Sequence, residues 1–60
     1  MDTITKQLAR ELNIRPDQII SVEVCEGNTV DFRLEDGRSF WARLTKNHQR
    51  VRKHSVRGQL

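Results

Sequence analysis

The 60-residue chain has one cysteine, Cys25, so no disulfide can form within it, and no set of Cys and His falls at the spacing of a structural zinc site. A reducing, cytoplasmic compartment is expected, with no metal and no cofactor. Proline occurs once and tyrosine never, and one tryptophan with two phenylalanines leaves little aromatic volume for a core. A chain this short buries only about 60% of its unfolded surface, which points to one domain of marginal stability or to a homo-oligomer. No apolar run approaches the ~18 residues that span a bilayer, and no basic region followed by an apolar one opens the chain, so neither membrane insertion nor export is expected. The patterns of catalysis are missing as well. His48 and His54 have no carboxylate nearby in sequence, and there is neither a Gly-framed serine nor an HExxH, so no enzyme is expected. Cys25 adjoins Glu26, whose charge disfavours a reactive thiolate.

What the chain does have is alternation. From Ile19 to Leu44, reading IISVEVCEGNTVDFRLEDGRSFWARL, apolar residues recur at every second position in three runs: Ile20, Val22, Val24; Val30, Phe32, Leu34; and Phe40, Ala42, Leu44. Three rows facing one way predict a three-stranded antiparallel meander over 19–44. A glycine at the end of each of two three-residue loops, Cys25-Glu26-Gly27 and Glu35-Asp36-Gly37, supplies the left-handed residue that such loops need. That geometry pairs Val22 with Val30 and Ile20 with Phe32, then Phe32 with Phe40 and Val30 with Ala42. On the outward face it sets Glu23 opposite Thr29, Thr29 opposite Arg43, Asp31 opposite Trp41 and Arg33 opposite Ser39. A two-residue turn at Asp36-Gly37 would pair Leu34 with Ser39 and break the alternation.

Ahead of the meander, Asp2 and Thr3 are good N-caps, and Ile4, Leu8 and Leu12 follow at helical spacing, predicting a helix over about Thr3 to Leu12 within residues 1–13. Its apolar stripe has to lie on the sheet or on an open end of a barrel, because three turns are marginal alone. Asn13 suits the helix end, and Pro16 biases Arg15 to an extended conformation. Gln7 and Arg10 should face solvent or a neighbouring subunit. Past Leu44 the pattern weakens. Val51 and Val56 are the only β-branched aliphatic residues there and Gly58 the only breaker, and two readings stay open. Either Gln49 to Arg52 and His54 to Arg57 are short strands closing a small barrel, or residues 46–60 are a flexible basic arm. The fold class is mainly β, a small α+β domain.

Charge divides the chain in the same place. Residues 1–45 carry six Lys/Arg against eight Asp/Glu, whereas residues 46–60 carry Lys46, Arg50, Arg52, Lys53 and Arg57, both histidines and no acid. A cationic segment beside a near-neutral body is the footprint of a polyanion partner, with nucleic acid ahead of lipid because no amphipathic helix accompanies the charge. The competing readings are a solvated tail that aids solubility, and a protein-protein adaptor whose basic segment docks on an acidic partner. Trp41, flanked on the outward face by Arg33 and Arg43, suits the stacking of unpaired bases, although such a tryptophan also serves to cover a neighbouring element or a subunit interface.

Three resemblances point the same way. Gln7 on a helix ahead of the sheet, Gly27 in the first hairpin, Phe40 opening the third strand and the segment QRVRKHSV resemble the Hfq branch of the Sm-like proteins, whose motif reads Q-x-V-Y-K-H-x-I. That likeness implies a bent five-stranded barrel, a ring and uridine-rich RNA, with Gln7, Phe40, Lys53 and His54 at base-contacting positions. Phe32 stands where the family has a bending glycine, Arg38 where it has Asp and Arg52 where it has Tyr. The segments LEDGRSFWARL and RKHSVR resemble bacterial translation initiation factor 1, an OB-fold, with too little chain after Arg57 to complete that barrel. ITKQLARELNIRPDQIISVEV is similar to AbrB-type regulators, without their N-terminal strand. All three imply nucleic-acid binding by a small β-rich module, and two of them favour RNA over DNA.

Overall fold

The computed structural model describes residues 3–59. Helix α1 spans Thr3–Leu12, as its apolar spacing predicts; Asp2, one of the two candidate caps, lies outside the described residues. Asn13 ends the helix with φ 57°. The Ile14 N–H donates to the Ala9 carbonyl at 2.9 Å and the Asn13 N–H to the Arg10 carbonyl at 3.2 Å, the crossed pair of bonds that closes a helix on a left-handed residue. Arg15 is extended at φ −81°, ψ 144°, and Pro16–Gln18 forms a single 3-10 turn that apolar periodicity does not announce. The Gln18 carbonyl accepts the Glu35 N–H at 2.9 Å, tying this turn to the second hairpin.

Four antiparallel strands follow, β1 Ile19–Cys25, β2 Thr29–Leu34, β3 Ser39–Arg43 and β4 Arg57–Gln59, in the spatial order β1-β2-β3-β4. The fold is therefore mainly β, a small α+β domain, built here as an open sheet with β1 and β4 at its edges. The second hairpin has the predicted register: Phe32 faces Phe40, Val30 faces Ala42, Asp31 faces Trp41, Thr29 faces Arg43 and Arg33 faces Ser39. Its loop is Glu35-Asp36-Gly37, closed by the Leu34 N–H donating to the Arg38 carbonyl at 2.9 Å, with Gly37 at φ 93°.

The first hairpin departs from the expected register by two residues. Val22 faces Phe32, Val24 faces Val30, Glu23 faces Asp31 rather than Thr29, and Cys25 faces Thr29, so the loop is Glu26-Gly27-Asn28. The cause lies in Asn28. It shares left-handed backbone with Gly27, at φ 60° and 75°, a conformation asparagine tolerates better than other residues with a side chain. Its carbonyl accepts the Leu44 N–H at 2.6 Å and its side-chain oxygen meets the His48 ring. Moving the loop centre by one residue shifts pairing by two, which preserves inward and outward faces. Alternation alone cannot separate the two registers.

The register shifts between Ile19 and Ser21, so Ile19 takes the inward place opposite Leu34 while Ile20 stands 61% exposed, and Val24 is 50% exposed at the sheet edge. Neither belongs to the core. That core is Leu8 from α1 with Val30, Phe32, Leu34, Ala42 and Leu44, flanked by Ile4, Leu12, Ile14, Ile19, Val22 and Phe40. Helix α1 thus covers the inward face of the sheet. The Phe32 and Phe40 rings stack 5.6 Å apart.

Residues 45–56 are neither the two expected strands nor a free arm. Val51 makes a lone bridge to Leu44, and the last strand is Arg57–Gln59 rather than His54 to Arg57. Backbone bonds and the Ser55 side chain hold the intervening loops to one another and to the sheet. Ser55 Oγ donates to the Arg52 carbonyl at 2.6 Å and accepts the Arg43 N–H at 3.2 Å, the Arg52 N–H donates to the Arg43 carbonyl at 2.8 Å, and the Thr45 N–H to the Arg50 carbonyl at 2.8 Å. Gly58 is not a breaker but part of β4. A Cβ there would lie 2.7 Å from Phe40 Cε1, so glycine lets β4 approach the Phe40 ring, which also stacks on Phe32.

Candidate nucleic-acid interface

The eleven residues expected at the interface are not brought to one place. Gln7 turns toward the C-terminal segment, where its side-chain oxygen accepts the Val51 N–H at 2.5 Å. This bond crosses 44 positions of sequence and sets one wall of a cleft of about 560 Å³ lined by Thr3, Gln7, Arg10, Glu11, Arg50, Val51 and Lys53. Three cations therefore meet one carboxylate across α1 and the basic segment. None of the three forms an ion pair among the described residues, where the ion pairs are Arg15 with Asp17 and Arg38 with Asp36. Arg10 was not among the expected site residues. Its position three after Gln7 places both on one helix face, which is a signal in the sequence, but the partners at 50 and 53 come only through the chain's return.

Arg43 and Arg52 line a smaller hollow of about 90 Å³ with Gly27, Asn28 and Leu44. Lys46 and His54 are exposed in turns, His54 with left-handed backbone at φ 61°. Arg57 is exposed on β4 but spends one guanidinium nitrogen on the His54 and Val56 carbonyls, at 3.1 and 2.9 Å. Phe40 is half-buried in the core, between Phe32, Arg38, whose guanidinium carbon lies 5.7 Å from the ring centroid, and Gly58. The ring positioned for bases by resemblance is thus occupied in packing.

Trp41 does lie on the outward face, half-buried, in a groove of about 400 Å³ with Ser21, Glu23, Asp31, Arg33 and Ser39. The two-residue slip of β1 changes what surrounds it. Glu23, Asp31, Trp41 and Arg57 now form one row across the four strands, so two carboxylates stand beside the indole where the expected register put Glu23 opposite Thr29. Like charges directly opposite each other are unfavourable in a sheet, and they also repel phosphate. The Cys25 thiol donates to Asp31 Oδ2 at 3.4 Å. That bond first, then burial and the charges of Asp31 and Glu23, holds the thiol above its usual range, so the thiolate is disfavoured as expected, but by these residues rather than by Glu26. At the other hairpin, Asp36 accepts the Arg38 backbone N–H at 3.0 Å and its Nε at 2.7 Å, and these bonds, the backbone one foremost, hold the Asp36 carboxyl below its usual range.

No group of three or more His, Cys, Asp or Glu able to hold a metal occurs among the described residues, and no helix there is long and apolar enough to cross a membrane. Compared with family models, curated proteins and solved structures, the chain matches none of them.

Proposed function

We propose that this chain is a non-enzymatic module that binds single-stranded nucleic acid, RNA ahead of DNA, through the cleft between α1 and the C-terminal segment. The observation that carries the reading is the convergence of Arg10, Arg50 and Lys53 on one cleft with Glu11 as its only acid. Clustered cations without acidic partners exchange counterions for phosphates, which a mixed-charge surface does not. Lys46, Arg52 and Arg57, exposed on the same C-terminal segment as His54, supply further cations outside the cleft. RNA is placed ahead of DNA on the likeness to the Sm-like and initiation-factor families.

The test is fluorescence anisotropy with a labelled single-stranded RNA of about 12 nucleotides, titrated at several salt concentrations. Three phosphate contacts give a log-log slope near −2, and five a slope near −3.5, at about −0.7 per contact. Reversing Arg50 and Lys53 to Glu should flatten the slope by about 1.4 and weaken binding to every sequence alike. A slope near zero, or affinity unchanged in the double reversal, would overturn the reading in favour of a protein partner.

A further inference from the structure

We propose that the free edge of β1 pairs antiparallel with the same edge of a second copy, joining two four-stranded sheets into one of eight strands across a two-fold axis at Val22. The inference is independent of the nucleic-acid reading. It starts from the two exposed large hydrophobic side chains among the described residues, Ile20 and Val24, at 61% and 50% exposure. Both lie on β1, an edge strand of seven residues. Edge strands carry a row of unpaired backbone N–H and C=O groups, and proteins that stay monomeric usually protect them with lysine, proline or a covering element. This strand has no lysine, arginine or proline, and Ser21 and Glu23 between the two apolar residues are exposed as well. The register shift near Ile20 sits at its N-terminal end, leaving Ser21–Cys25 regularly paired with β2.

Self-pairing has few registers to choose from. A two-fold axis perpendicular to the sheet keeps inward residues opposite inward ones, so the axis must pass through a residue. Centred on Glu23, it sets two carboxylates face to face; centred on Ser21, it leaves Val24 opposite Gln18, beyond the strand; centred on Val24, it sets Val22 opposite Glu26. Centred on Val22, it pairs Glu23 with Ser21 within the regular stretch and brings Val24 of each copy to the bulged Ile20 of the other. Only that register covers both exposed apolar residues without opposing like charges. Charge also favours a second copy at this edge, since β1 holds no cation, whereas Arg57 lies on β4, the opposite edge of the sheet. Two chains of net charge +3 thus meet through their least cationic strands.

Sedimentation velocity over a concentration series tests the proposal. A single strand pair buries less than a standard interface, so a monomer-dimer equilibrium with Kd on the order of 1 to 100 μM is expected. Val24→Lys, and separately Ile20→Lys, should raise that Kd on the order of 100-fold, because each places two uncompensated charges in the interface. Circular dichroism checks that both variants remain folded. The register is tested by mixing a Ser21→Cys chain with a Glu23→Cys chain, each also carrying Cys25→Ser, under mild oxidation. Disulfides between unlike chains are expected. Disulfides between like chains, dimers indifferent to both lysine variants, or a parent that stays monomeric up to about 500 μM would each overturn the pairing, the last leaving the edge to a strand of another protein.

Discussion

The cleft beside α1 and the groove on the outward sheet face are both open, and both contain residues that the sequence nominates for nucleic acid, yet their charge differs in sign of effect. In the cleft, Arg10, Arg50 and Lys53 face a single acid, Glu11. In the groove, Trp41 and Arg33 share the surface with Glu23 and Asp31. An aromatic ring stacks bases only if the phosphates that come with them are tolerated, and two carboxylates in the same cross-strand row work against that. The difference shows that a residue type suited to a task does not locate the site; its neighbours across the fold do.

The charge of the cleft should matter most. In the anisotropy assay, Arg50→Glu with Lys53→Glu should reduce RNA affinity by roughly 10- to 100-fold at moderate salt, while Trp41→Ala or Arg33→Glu should change it by less than about 3-fold. If Trp41→Ala were the more damaging, bases would be stacking on the outward face despite its acids, a contact worth about 1 to 3 kcal/mol per base.

Two stability variants separate the cleft from the sheet packing beyond it. Gln7→Ala leaves the Val51 N–H without its partner in the cleft wall, which should cost about 1 to 3 kcal/mol in urea unfolding and lower RNA affinity as well. Gly58→Ala drives a methyl group into the Phe40 ring, and should cost about 1 to 3 kcal/mol by overpacking, with RNA affinity lowered less than in Gln7→Ala because Gly58 does not line the cleft. Equal losses of affinity in both variants would mean that the two regions are not separable.

The smallest effect expected is at Asp36, outside both regions. Its carboxyl is lowered from the ordinary 3.8 by the Arg38 N–H and guanidinium, so the unfolded chain takes up the proton first. Its contribution is therefore present above 3.8 and lost as pH falls through the lower, folded value. Thermal midpoints of the parent and Asp36→Asn should differ slightly at neutral pH and converge in acid. A difference that persists unchanged into acid would remove this carboxylate as its cause.

Local and periodic information carried far in this chain. The helix bounds, the left-handed Asn13, the extended Arg15, the second hairpin's loop and its register are all readable because each depends on residues within a turn or on strict alternation. The first hairpin's register was not readable, since alternation has a period of two and a two-residue slip leaves every face intact; what selected it was Asn28, held by Leu44 and His48 from far along the chain. The candidate site divides in the same way. Composition alone showed that the cations are gathered after Thr45, but Arg10 joins Arg50 and Lys53 only because Gln7 receives the Val51 N–H, and Glu23 joins Asp31 beside Trp41 only because the hairpin slipped. Contacts between segments tens of residues apart leave no periodic trace, so the tertiary structure alone decided which charges share a surface.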